Sequence, residues 1–133
     1  MPIFGAIGIA GTGMTVNRKW LDAVSDNIAN INQVSATDEA AFQARFVIAQ
    51  EMGGPRDGGV QVKGIAYGSP EGRLVYDPTH PLADDGGYVR LPDIDLGSQM
   101  SQLIIAQRAY QSNATVVDRA KEAYTAALQI GRN

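Results

Sequence analysis

Residues 3–31 read IFGAIGIAGTGMTVNRKWLDAVSDNIANI, and the spacing of their apolar side chains decides the fold. Ile3, Ile7, Ala10, Met14, Asn17, Leu21, Val24, Ile28 and Ile31 follow alternating four- and three-residue steps, and eight of these nine are apolar. On a helix such steps keep one stripe on one face, which here makes a coiled-coil seam of about four heptads. Asn17 is the polar member of the seam, the kind of residue that sets register at some cost in stability. Pro2 suits a first helical turn, where its missing N–H is no loss. Gly5, Gly8, Gly11 and Gly13 each cost roughly 1 kcal/mol against alanine. This helix is therefore marginal alone and needs a partner surface.

The other end of the chain repeats the pattern. Ala106, Ala109, Asn113, Val116, Ala120, Ala123, Ala127 and Ile130 again step by three and four, with Leu103, Tyr110, Val117, Tyr124 and Leu128 beside them. The spacing predicts a helix starting near Leu96–Ser98 and running to about Gly131, a residue suited to ending one. About 34 residues at 1.5 Å rise span roughly 50 Å. Two uses of the stripes are open. They bury each other in a hairpin, or they exceed what one hairpin needs and also bind neighbouring chains. Trp20, Ile104 and Tyr124 point to apolar surface beyond the hairpin.

Between the ends the chain changes character. Residues 53–97 hold ten of the 15 glycines and five of the six prolines. Phe42–Ile48, Gly58–Ile65, Arg73–Tyr76 and Gly87–Leu91 are rich in β-branched and aromatic residues and read as short strands. Gly53-Gly-Pro55, Asp57-Gly-Gly59, Ser69-Pro-Glu-Gly72, Asp77-Pro-Thr-His-Pro81 and Asp84-Asp-Gly-Gly87 supply the turns. The expected fold class is α+β, with two long terminal helices paired as an antiparallel coiled coil and a small antiparallel sheet inserted. The boundaries are 1–33 for the N-terminal helix, 34–95 for the β-rich middle and 96–133 for the C-terminal helix.

Composition narrows the function. The chain has 133 residues and a net charge of −3. That charge divides into zero over residues 1–35, −5 over 36–97 and +2 over 98–133. No part is basic enough for a nucleic-acid footprint. The absence of cysteine removes thiol nucleophiles and thiolate metal sites, and the one histidine, His80, removes His-pair sites. No cofactor motif is present: the early glycines do not match a dinucleotide fingerprint, and no phosphate loop exists. No stretch reaches the roughly 20 apolar residues that span a bilayer, so no membrane insertion is expected. Met1–Asn17 is uncharged and broken by glycines, which does not suit a cleavable signal peptide.

Few residues remain for chemistry. Asp93 and Asp95, with Asp84 and Asp85, form the one carboxylate cluster. It reads as an acidic loop with Asp93 or Asp95 at the start of the C-terminal helix, where negative charge is favourable. The alternative is a carboxylate pair for glycoside hydrolysis or for a hard cation. His80 reads as part of a rigid Pro-Thr-His-Pro turn with a hydrogen-bonded imidazole. Arg108, Arg119 and Lys121 give the C-terminal helix a weak positive side, suited to solvent or to a neighbour's acidic loop.

Three stretches carry a resemblance. Asp26-Asn-Ile-Ala-Asn-Ile-Asn32 resembles the Asn-rich signature of bacterial flagellar axial proteins. Ala106-Gln-Arg-Ala-Tyr-Gln-Ser-Asn113 resembles their Arg-x-Tyr-x-x-Asn signature. Leu74-Val-Tyr-Asp-Pro-Thr-His-Pro-Leu-Ala-Asp84, with Gly87-Tyr-Val-Arg-Leu-Pro-Asp-Ile-Asp95, is similar to the proximal rod proteins of the C type within the basal-body rod family. The segment Asn32-Gln-Val-Ser-Ala-Thr37 departs from the Asn-Thr-x-Gly pattern of hook and distal rod proteins. The family's Asn-Val-Asp is Asp93-Ile-Asp95 here.

The resemblance implies a structural subunit of the flagellar rod that transmits torque and is not an enzyme. It implies assembly through the terminal helices, with Ile3, Ile7, Met14, Asn17, Leu21, Val24, Ile28, Asn30, Leu103, Ala106, Tyr110, Asn113, Val117 and Tyr124 at the interfaces. The implied partners are other rod proteins, membrane-ring and adaptor proteins, further copies of the chain, and the export apparatus in transit without a cleaved signal. The implied location is the rod of the basal body, which spans the periplasm. Two other functions compete: a module that binds or hydrolyses cell-wall peptidoglycan through Asp93, Asp95 and His80, and a soluble helical adaptor or export chaperone.

Overall fold

The computed structural model describes residues 3–54 and 58–132. Pro2, and Pro55 and Asp57 of two expected turns, lie outside the described residues. The chain runs α1 (Ile3–Ala29), β1 (Arg45–Glu51), β2 (Val60–Tyr67), β3 (Arg73–Tyr76), β4 (Tyr88–Leu91) and α2 (Leu96–Ile130). This is the expected α+β order. The two helices pair antiparallel, with Phe4 against Tyr124, Gly13 against Asn113 and Asn27 against Gln99.

Local chemistry sets the helix ends. Asp95 is extended (φ −90°, ψ 117°) and its carboxylate accepts from the Ser98 N–H at 2.7 Å, so it caps α2 and satisfies one free donor of the first turn. Gly131 follows the last helical residue in right-handed geometry (φ −73°). α1 stops two residues before the apolar seam does. There the Asn30 side chain donates to the Asp26 carbonyl at 2.8 Å, and Ile31 N–H turns back to the Ile28 carbonyl. Ile31 therefore lies in a turn.

The insertion forms two two-stranded antiparallel sheets instead of the single sheet expected. β1 pairs with β2 from Arg45↔Tyr67 to Glu51↔Val60, with a bulge between Ile48 and Ala49. β3 pairs with β4 from Arg73↔Leu91 to Tyr76↔Tyr88. β2 and β3 do not join because the turn between them is bound by the segment before β1. Ala41 N–H donates to the Pro70 carbonyl, Gly68 N–H to the Ala44 carbonyl, and the Gln43 side chain to the Gly68 carbonyl, each at 2.8 Å. These bonds also hold Phe42–Ala44 in a loop, which is why β1 begins three residues later than the sequence suggests.

The sheets attach differently. The first lies along α1: Asn27 holds Arg45 at one end, and the Thr12 hydroxyl accepts from Val60 N–H at 3.1 Å near the other. The second makes no comparable packing with either helix. It is tied to the connector before β1 by two Ser35–Arg90 backbone bonds (2.8 and 2.9 Å) and by Arg90 side-chain donation to the Thr37 and Glu71 carbonyls.

The core is thin. Its buried apolar residues are mainly alanine and valine, with Val24, Val89 and Ala106 the most enclosed. The accessible surface is 8874 Å², against about 6,700 Å² for a globular monomer of this mass. A two-helix arm with a thin insertion leaves much surface uncovered.

Candidate assembly surface

The helix pair sorts the expected interface residues into two groups. Val24 (1% exposed) and Ala106 (0%) are enclosed within the fold and present nothing outward. Ile3, Ile7, Met14, Asn17, Leu21, Ile28, Asn30, Leu103, Tyr110, Asn113 and Val117 are half-buried along the seam, and Tyr124 is exposed. The helices approach closely at Gly13, where an added Cβ would lie 3.0 Å from Asn113 Nδ2. Asn113 in turn donates to the Ala109 carbonyl at 3.0 Å. At the far end the Phe4 and Tyr124 rings meet edge-on, with centroids 5.4 Å apart.

Beyond Tyr124, α2 continues without a partner among the described residues. Residues 121–132 are exposed, including Leu128 and Ile130. Leu96, Met100 and Ile104, spaced four apart, form a second exposed apolar ridge, and Ile105 and Val116 are also open. Of these, Ile104 is the one that sequence reading set aside as surface beyond the hairpin. Leu96 and Met100 precede the first positions of the α2 seam, Leu103 and Ala106, so the seam spacing does not reach them.

Near the insertion, a polar knot joins three elements. Asn27 is fully buried (0% exposed) and Gln99 nearly so (4%). Asn27 Nδ2 donates to Gln99 Oε1 at 3.0 Å and to the Arg45 carbonyl at 2.9 Å, while its Oδ1 accepts from Arg45 N–H at 2.8 Å. Asn27 thereby pairs with the edge of β1 as a further strand would. The Arg45 guanidinium binds Asp26 at 2.7 Å in an exposed ion pair, which adds little. Spacing did not single out Asn27 or Gln99. Both sit beside the seam, and only the Asn-rich motif marked the region.

Several of the charged candidates have structural roles. Asp84 Oδ1 accepts from Gly86 and Tyr88 N–H groups, both at 2.9 Å, and Oδ2 accepts from the Thr37 hydroxyl at 3.0 Å. The Tyr88 N–H above all, with the Thr37 hydroxyl and the Gly86 and Gly87 N–H groups, holds its carboxyl below the usual carboxylate range. Asp95 is the helix cap, and Asp93 is exposed. His80 Nδ1 accepts from Leu82 N–H at 3.1 Å, as a rigid turn requires. Arg119 pairs with Glu122 one turn on, at 2.9 Å. Among the described residues no group of three or more His, Asp or Glu side chains is placed to hold a metal ion, and no helix is long and apolar enough to cross a membrane.

The sequence that folds this way is similar to known proteins. The profile of the family described as flagellar basal body rod FlgEFG protein C-terminal matches residues 85–130, which cover β4 and α2. Over 99% of its length the chain is 31% identical to the flagellar basal-body rod protein FlgC of Escherichia coli, covering 100% of that relative. It is 32% identical to the FlgC of Borreliella burgdorferi, with 98% of each chain covered. The chain belongs to the FlgC family of flagellar basal-body rod proteins. The FlgC of Bacillus subtilis, at 29% identity over 99% of this chain, extends the similarity to a further bacterium. For a FlgC-family chain, the buried Asn27 and the half-buried Asn30 lie in the Asn-rich motif, and Tyr110 and Asn113 lie in the C-terminal motif on α2.

Proposed function

We propose that this chain, a structural rod subunit by its family, joins its neighbours through the outer faces of its two terminal helices and so transmits torque along the flagellar basal-body rod. The observation that carries this reading is uncovered surface. The chain exposes about 2,000 Å² more than a globular monomer of its mass would, more than the roughly 800 Å² that one partner contributes to a standard protein–protein interface. Much of it lies on α2, where the Leu96–Met100–Ile104 ridge and the Leu128–Ile130 end are apolar. Contacts between unlike faces that do not close on themselves build a helical shaft, and many such contacts between stiff helices resist twisting.

In this reading the helices of regions 1–33 and 96–133 form the tube, and the 34–95 region faces outward. The half-buried seam residues, Ile7, Leu21, Ile28, Leu103, Tyr110 and Val117 among them, are shared with neighbours on assembly. Neighbours are other rod proteins, further copies of the chain, and an adaptor at the membrane ring. The marginal, glycine-rich start of α1 suits passage through a narrow export channel as an unfolded chain, without a cleaved signal. No chemistry is turned over. The test is to restore a strain of the source bacterium lacking this gene with a tagged copy and to isolate basal bodies. Tagged chain in the rod fraction supports the reading; swimming cells whose basal bodies lack it overturn it.

A further inference from the structure

We infer that the buried Asn27–Gln99 amide pair, and not the seam residue Asn17, fixes the register in which α1 and α2 pair. The apolar seam is nearly degenerate. On α2 the positions 106, 113, 120 and 127, seven apart, are alanine except for Asn113, and Tyr110, Val117 and Tyr124 also recur every seven residues. On α1, Ile7, Met14, Leu21 and Ile28 do the same. Sliding one helix by a heptad, about 10 Å, replaces one bulky apolar side chain with another and alanine with alanine, apart from Asn113, which leaves its place beside Gly13. Apolar burial therefore discriminates weakly between registers.

The amide pair discriminates strongly. Asn27 has no solvent contact, and it spends its amide on Gln99 and on both backbone groups of Arg45. A one-heptad slide carries Gln99 out of reach and leaves a buried donor facing an alkyl side chain, which costs more than the bond itself gains. Asn17 is half-buried and its side chain makes no hydrogen bond among the described residues, so the observed register gains no bond from it. The Trp20–Gln102 bond is longer, at 3.3 Å, and only part-buried. Because Asn27 also grips β1, the pair sets register and sheet position together. Register in turn sets how far α2 runs past Phe4. That consequence for assembly rests on the rod reading; the register itself does not.

The chain has no cysteine, so engineered pairs report register without background. Disulfides form when Cβ atoms lie within about 3.5–4.5 Å. Gly13→Cys with Asn113→Cys reports the observed register, and Gly13→Cys with Ala106→Cys or Ala120→Cys reports slides of one heptad. In the otherwise unchanged full chain the first pair should oxidise at least tenfold faster than the other two. Gln99→Leu, and Gln99→Met as a second variant of similar length, should raise both slid pairs tenfold or more. Gln99→Glu keeps an acceptor for Asn27 Nδ2 and should keep the original pattern, as should Asn17→Leu. Slid pairs that stay slow in both Gln99→Leu and Gln99→Met overturn the inference, as does their appearance in Asn17→Leu. Cross-linking of the purified chain is read apart from motility, so failure here leaves the rod reading standing.

Discussion

Gly13 of α1 sits so close to Asn113 of α2 that a methyl group on it would meet Asn113 Nδ2 at 3.0 Å, whereas methyl groups on Gly8 and Gly11 would meet nothing within 4 Å. Alanine is intrinsically about 1 kcal/mol better than glycine in a helix. Gly8→Ala and Gly11→Ala should each stabilise the chain by about 0.5–1 kcal/mol. Gly13→Ala should forfeit that gain, because Asn113 must shift and its bond to the Ala109 carbonyl must loosen. Thermal unfolding followed by helical circular dichroism checks the difference.

Gly72 has φ +57°, and a Cβ there would clash with the Leu91 carbonyl oxygen and lie 2.6 Å from Ala41 Cβ. No flexible side chain is available to yield. Gly72→Ala should destabilise the second sheet by about 2–4 kcal/mol. Hydrogen exchange should show the loss at β3, β4 and Ala41 and leave α2 protected.

The Asp84 carboxylate binds Gly86, Tyr88 and Thr37 in its ionised form, which lowers its pKa from 3.8. A lowered folded pKa means that the unfolded chain takes up the proton first. The stabilisation is therefore complete above about pH 4 and disappears as pH falls through the lowered value. Asp84→Ala should lower the thermal midpoint at pH 7. The gap between wild type and variant should close as pH falls below 4, whatever the other carboxylates contribute to both.

The helices were legible because their signals are local. Seam spacing, the Asp95 cap and Gly131 bound α2 without reference to anything distant, and Arg73–Tyr76 is a strand flanked by its own turns. The division into two sheets was not legible. It depends on Ala41 and Ala44 reaching the Gly68–Pro70 turn across about 25 residues of chain, and no periodicity records that. The interface was half legible. Repeats of three and four identify a stripe but do not say which members the fold encloses, so Val24 and Ala106 were grouped with residues that still face outward. Asn27 escaped because its partners are a backbone and a distant glutamine.

The outer faces of the helices bear the weight of the functional account, and Ile104 tests them most directly. It is about half exposed and spaced four residues from Met100. In cells lacking the native gene, Ile104→Asp should give a purified chain with unchanged helicity and thermal midpoint but no rod incorporation and no swimming. His80→Ala, altering a turn in the insertion, should keep most swimming. Ile104→Asp cells that swim normally with the variant chain in their basal bodies would contradict the account.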